Sequence, residues 1–317
     1  MKRRILGAAL AVTMIFGLAG CGQAAAGAGT LTVGFAQIGQ ESGWRDAETW
    51  SILGAAQNLG VDLKFSDGQQ KQENQIKAIR TFIQQKVDVI GFAPVVATGW
   101  DTVLKEAKDA KIPVVFVDRK ADVPEDMYAT FIGSDFLVEG ANACKEMATL
   151  LGKKGNIVEL QGTVGASAAT DRMTGFATEL KNYPDMKIIA SQTGDFTRAK
   201  GKEVMEAFLK ANPGTINGVY AHNDDMALGA IEAIKDAGLK PGTDIKVVSI
   251  DGVKGIFEAM AAGEANVTVE CNPLLGPQFF KVCQDLKAGK TVEKWVKSEE
   301  GVFRSETAAA DLPNRKY

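Results

Sequence analysis

Three short apolar runs in this 317-residue sequence end on polar side chains suited to gripping hydroxyl groups: Val114-Val-Phe-Val-Asp118-Arg119, Gly218-Val-Tyr-Ala-His222-Asn223-Asp224 and Val247-Val-Ser-Ile-Asp251-Gly252. Each is read as a strand followed by a helical pattern. In an open α/β sheet, ligands bind beyond the carboxyl ends of parallel strands, so these ends describe a pocket gathered from distant segments. A fourth segment, Gly39 to Glu48, lies between the first strand and its helix and contributes Glu41, Ser42, Trp44 and Arg45. An indole offers a flat apolar face to the C–H side of a sugar ring, while arginine and carboxylates form charge-assisted hydrogen bonds with its hydroxyls. The plainer alternative is that Ser42 caps a helix and Trp44 belongs to a core. Asp118 beside Arg119 places opposite charges where the chain leaves the sheet, with a surface ion pair as the alternative.

Other chemistries fit the sequence poorly. Arg172 closes a glycine-rich turn, Gln161 to Arg172, but neither GxGxxG nor GxxxxGK is present to cradle a phosphate or a dinucleotide. The single histidine, His222, has no GxSxG elbow beside it, and one imidazole next to acids is a poor metal set. Capping of the following helix by Asp224 and Asp225 is the better use of that segment. No catalytic residue, metal site or cofactor is expected. A net charge of -3 disfavours nucleic acid and anionic membrane surfaces.

The elements that must hold these residues alternate between strand and helix from Leu31 onward. The first set is strand Leu31–Phe35, helix Trp44–Leu59, strand Val61–Phe65, helix Gln72–Gln85, strand Val89–Ala93, helix Trp100–Ala110 and strand Pro113–Val117. The second is helix Phe136–Leu151, strand Asn156–Leu160, helix Thr170–Leu180, strand Lys187–Gln192, helix Lys200–Leu209, strand Gly218–Ala221, helix Asp224–Ala237, strand Lys246–Ile250, helix Ile256–Ala262 and strand Asn266–Glu270. An open twisted sheet rarely exceeds about ten strands, so two doubly wound parallel-sheet domains are expected, with the ligand between them.

Residues 1–20 have the form of a lipoprotein signal peptide: basic Lys2-Arg3-Arg4, an apolar stretch too short to span a bilayer, then Leu18-Ala-Gly-Cys21, which resembles a bacterial lipobox with Cys21 as the lipidated residue. Residues 21–30, rich in Ala and Gly, form a tether. The expected location is extracytoplasmic, either lipid-anchored at the cell membrane or periplasmic. Cys144, Cys271 and Cys283 remain, an odd count without a CxxC pair.

Longer motifs appear in order along the chain: Glu41-Ser-Gly-Trp-Arg45, Asp67-Gly-Gln-Gln-Lys-Gln-Glu-Asn-Gln75, Ala93-Pro-Val-Val-Ala-Thr-Gly-Trp100, Glu159-Leu-Gln-Gly-Thr-Val-Gly-Ala-Ser167, Gly194-Asp-Phe-Thr-Arg198 and Ala221-His-Asn-Asp-Asp-Met226. Through them the chain resembles the type I periplasmic-binding-protein family, ribose-binding-like branch, and within it the galactofuranose binders of bacterial ABC transporters. The resemblance runs from about Leu31 to Gly276. It implies a non-enzymatic, monomeric receptor that closes on a monosaccharide and delivers it to an ABC permease. Galactofuranose is the first choice of ligand, and ribose or a furanose signalling molecule the alternative.

The implied contacts are Glu41, Ser42, Trp44 and Arg45, Asp118 and Arg119, then Arg172, Asn223 and Asp251 from the other domain, with Phe196 aligned to a ring-packing aromatic. Glu270-Cys271 stands where ribose binders carry glutamine. A three-strand hinge is also implied, dividing the chain into 31–133 plus 272–300 and 134–271 plus 301–317, with a helix from Pro273 returning to the first domain. A transcription repressor of the same fold would need a helix-turn-helix where the lipobox lies.

Overall fold

The computed structural model describes residues 29–317; the expected signal peptide and most of the tether, with Cys21, lie outside the described residues. In chain order the elements are β1 (Thr32–Gln37), α1 (Gly43–Leu59), β2 (Asp62–Asp67), α2 (Gln72–Gln84), β3 (Val89–Phe92), α3 (Asp101–Asp109), β4 (Val114–Val117) and β5 (Thr130–Gly133). There follow α4 (Phe136–Leu150), β6 (Lys154–Gln161), α5 (Ser167–Leu180), β7 (Asp185–Thr193), α6 (Arg198–Ala211), β8 (Gly218–Ala221), α7 (Asp224–Asp236), β9 (Lys246–Asp251), α8 (Lys254–Ala261) and β10 (Val267–Glu270). The chain ends with α9 (Gly276–Lys287), β11 (Trp295–Lys297), β12 (Val302–Arg304) and α10 (Ser305–Asp311).

The strands form two six-stranded sheets, ordered β11-β5-β4-β3-β1-β2 and β12-β10-β9-β8-β6-β7. The first is wholly parallel; in the second only the edge strand β12 runs antiparallel. All four residues of β3, of β4 and of β8 are buried, as expected of strands covered on both faces by helices. The chain passes between sheets after β5, after β10 and between β11 and β12.

Local chemistry sets the helices that border the cleft. Ser42 caps α1 by accepting the Arg45 N–H at 3.2 Å, and Gly60 ends the helix in the left-handed conformation at φ 64°. The pair α4 and α5 crosses with backbones nearly touching. A Cβ on Gly140 would stand 2.1 Å from the carbonyl oxygen of Arg172, and one on Gly175 the same 2.1 Å from that of Leu137. Only hydrogen at these two positions permits the approach that carries Arg172 to the cleft.

Several expectations about elements need correction. No helix follows Asp118-Arg119; the chain runs through a 3₁₀ turn, Glu125–Met127, into β5, a four-residue strand absent from the sequence reading. The strands β11 and β12 and the helix α10 are also additions, and the helix expected from Pro273 starts at Gly276. Capping of α7 falls to Asn223, whose Oδ1 accepts the Met226 N–H at 3.1 Å, rather than to the acids after it.

Candidate ligand-binding site

The ten residues named from sequence as ligand contacts line one small cavity between the two sheets, which Ala168 and Cys271 complete. All but Arg172, in the second turn of α5, come from strand ends, helix starts or the loops between them, and both sheets contribute.

On the first-sheet side, Arg45 is the organising group. Its guanidinium donates to Asp118 at 2.5 Å, to Glu41 at 3.2 and 3.3 Å, and to Glu48. Burial opposes the charge, but Asp118, Glu48 and Glu41 outweigh it and hold Arg45 firmly protonated. Asp118 therefore pairs chiefly with Arg45; the adjacent Arg119 is 3.7 Å away and bonds instead to Glu41 at 2.5 Å. Neither is a surface pair, since Asp118 and Arg119 are both buried.

Two of the Arg119 nitrogens, Nε and Nη1, are buried without a hydrogen-bond partner. Burial pulls this guanidinium below its ordinary value; Glu41 opposes that shift, and the charges of Arg45 and Arg172 add to it. Arg119 is thus a buried cation with donors left over, stacked 4.9 Å above the ring of Phe196 from the opposite sheet.

On the second-sheet side, Arg172 donates to Glu139 at 2.7 Å and to the His222 carbonyl at 2.7 Å, and lies 3.5 Å from Asp251. Burial pushes the Asp251 carboxyl well up; Arg172 resists, while Asp224 and Glu139 add to the rise. Asn223 caps α7 with its oxygen and donates its Nδ2 to the Phe196 carbonyl at 3.0 Å, so it braces the aromatic as well as facing the cavity. Three of the wall residues sit at positive φ: Asp118 at 64°, Phe196 at 61° and Asp251 at 132°. Backbone strain of this kind persists where surrounding structure enforces it, commonly at binding sites.

Trp44 combines both sequence readings. It is buried, packs against the core of the second sheet, and also walls the cavity. Its indole N–H donates to the Cys271 carbonyl at 2.5 Å, so only its ring is left for a ligand. Further contacts join the two sides around the cleft: Gly43 N–H to Asp225 at 2.9 Å, Ala97 N–H to the Gly165 carbonyl at 2.8 Å and Lys120 N–H to Ser167 at 3.2 Å.

Several residues that shape the site were not singled out in the sequence. Glu48 and Glu139 lie inside helices, where glutamate ordinarily faces water, yet both are buried and hold the two key arginines. Asp224 accepts from Ser249 at 2.5 Å, Thr268 at 2.9 Å and the N–H groups of Gly252 and Val253, fixing the turn that carries Asp251. The signal available was its place after a strand end. Glu270 points away, to Arg315 and Tyr317, and leaves Cys271 as the residue at the cavity.

His222 is fully buried. Its Nδ1 accepts the Gly162 N–H at 3.3 Å, so Nε2 carries the proton toward Glu159 at 3.1 Å. Burial lowers its pKa despite Glu159, and neither nitrogen is open to a substrate or metal. Among the described residues, Glu139, Cys271 and Glu300 bring ligand-type atoms within 4.8 Å of one another. The Arg172 guanidinium on Glu139 already supplies positive charge there, and burial keeps the Cys271 thiol protonated. Cys144, Cys271 and Cys283 are unpaired thiols.

A family model described as periplasmic binding protein domain matches residues 33–291. The galactofuranose-binding protein of Escherichia coli is 54% identical over 294 residues, which cover 91% of this chain and 92% of that protein. The periplasmic binding protein component of the arabinose ABC transporter from Shewanella, solved with α- and β-L-arabinofuranose, superposes with a TM-score of 0.88 at 53% identity, covering 90% of this chain and 95% of the other. A structure from Mycobacterium smegmatis in complex with β-D-fucofuranose gives 0.89 at 53% identity, with coverage of 91% and 96%. A second structure from that organism, at 52% identity and the same coverage, gives 0.71.

Proposed function

Because the chain belongs to the family of periplasmic binding protein domains, we propose that it is the receptor of an ABC sugar importer and takes a monosaccharide in its furanose form, galactofuranose first. The chain is a binding protein and not an enzyme. The observation that carries the ligand assignment is the pair of unpartnered, buried nitrogens of Arg119, a residue that lines the cavity beside Phe196. A hydroxyl oxygen supplies the acceptors these donors lack. An arginine donor left unmatched in a buried site costs about 1–3 kcal/mol or more, so a ligand that meets it recovers that much.

The two lobes are 31–133 plus 272–300 and 134–271 plus 301–317, with Glu41, Ser42, Trp44, Arg45, Asp118 and Arg119 binding from the first and Arg172, Phe196, Asn223 and Asp251 from the second. Closure follows from differential affinity, because a sugar touching both lobes makes its full set of contacts only when they meet. Residues 1–20 direct export, Cys21 bears the lipid, and the monomeric receptor presents its closed form to the permease.

A second furanose is favoured by the relatives solved with arabinofuranose and fucofuranose. Calorimetry and melting with galactose, L-arabinose, D-fucose, ribose and a methyl galactofuranoside separate these readings. Galactose should bind with an affinity reduced by its small furanose fraction, and the locked furanoside more tightly if its methyl group is tolerated. Tight binding of ribose with no heat from galactose or its furanoside would replace the galactofuranose assignment by a pentose.

A further inference from the structure

Asp225 does not line the sugar cavity, yet its carboxylate reaches across the cleft. It is the second residue of α7, and its Oδ2 accepts the N–H of Gly43, the first residue of α1, at 2.9 Å. The two residues are 182 positions apart and belong to opposite sheets, so the bond exists only while the lobes are together. The N–H groups of a first helical turn have no partner in their own helix, and the aligned peptides make that end positive. A single carboxylate therefore lies at the positive ends of two long helices, one from each lobe.

Its side chain is 13% exposed, and the neighbouring charges are Arg198 at 3.7 Å and Asp46 at the start of α1. Gly43 uses its N–H on Asp225, while Ser42 serves Arg45, so the contact completes the cap of α1 from outside its own lobe.

We infer that Asp225 is a positioning residue that latches the closed cleft, setting how long a bound sugar is retained without touching it. This rests on closure around a sugar but not on which sugar closes it. The latch forms after the ligand has entered, so it acts on release and leaves capture unchanged.

Two substitutions break the same bond from opposite ends. Asp225→Ala removes the acceptor. Gly43→Pro removes the donor at a first helical position, where proline fits, next to Ser42 whose extended backbone suits a following proline; a Cβ there stands 3.6 Å from Asp225, an ordinary contact.

Stopped-flow fluorescence should be recorded on the full folded chain with whichever of galactose, arabinose, fucose or ribose it binds. Each variant should release sugar roughly five- to tenfold faster at unchanged association rate, about 1–1.4 kcal/mol, and the double variant no faster than the single ones. Asp225→Asn, which keeps an oxygen but loses the charge, should fall between. Additive effects, or an unaltered release rate with only a lower melting temperature, would reduce Asp225 to an ordinary helix-terminal acid and overturn the latch. If Gly43→Pro does not fold, the Asp225 pair of variants decides alone. Binding of arabinose, fucose or ribose but not galactose would count against the galactofuranose reading and leave this test intact; binding of none of the four would sink both.

Discussion

At the scale of single residues, Arg119 has a deficit that the other site arginines do not share. Arg45 spends its donors on three carboxylates and Arg172 on Glu139 and a carbonyl, but Arg119 keeps two nitrogens unpaired. Arg119→Met should therefore weaken sugar binding by about a hundredfold or more, as expected when two donors at about 1–3 kcal/mol each are lost. The empty protein should melt within a few degrees of wild type, because Glu41 retains Arg45 as partner. Calorimetry and a thermal scan check both. A large fall in melting temperature with affinity kept would mean that Arg119 serves the fold. The strand-end residues Asp118, Asn223 and Asp251 were legible because a polar residue ending an apolar run has a limited set of places to go. Glu48 and Glu139 were not, since a glutamate inside a helix looks the same whether it meets water or a buried guanidinium.

At the scale of elements, the crossing of α4 over α5 and the meeting of the three interlobe segments govern how these residues are held. Gly140→Ala would drive a methyl group into the Arg172 backbone. It should cost about 1–3 kcal/mol in chemical denaturation, as overpacking does, and weaken sugar binding through displacement of Arg172. Unchanged stability would show that the helices can part freely.

At the crossings, Glu300 accepts from Ser134 and from the Asn272 N–H at 3.1 Å, so one carboxylate joins all three segments. Burial, with Glu139 adding to it, raises its pKa from the ordinary 4.5 to about 8. The folded state then holds a proton that the unfolded chain releases, so this group makes stability fall as pH rises from about 4.5 to 8. Glu300→Gln should flatten that part of the melting-versus-pH curve, and an identical curve would remove Glu300 as its source. The long alternating stretches were readable from their apolar periods. The strand β5 was missed because it has four residues and no helix before it; β11 and β12, of three residues each, gain their pairing from neighbours distant in sequence.

For the whole molecule, Cys271 offers a reporter of the cleft, since it both joins the core of the second sheet and walls the cavity, whereas Cys144 and Cys283 lie in the cores away from it. Burial raises all three thiols, Cys144 to about 12, so reaction with a thiol reagent is slow in each. Added sugar should protect Cys271 alone, by tenfold or more at saturation, and mass spectrometry of the labelled peptides would read it. Equal protection of all three would indicate that labelling passes through global unfolding.

The return of α9 and β11 to the first sheet has a further consequence, in time rather than space. Leu275, Phe279, Phe280, Val282 and Cys283 complete a hydrophobic cluster whose other members come from β1, β3, β4, β5 and α1. Roughly 140 residues of the second lobe are made between β5 and the return of the chain to α9, which at ~5–20 residues per second is on the order of ten seconds of translation. Throughout that interval the earlier lobe lacks both an edge strand and part of its core. The first lobe therefore becomes whole only once β11 has been made, so the order of synthesis sets a minimum delay before it can take its native form.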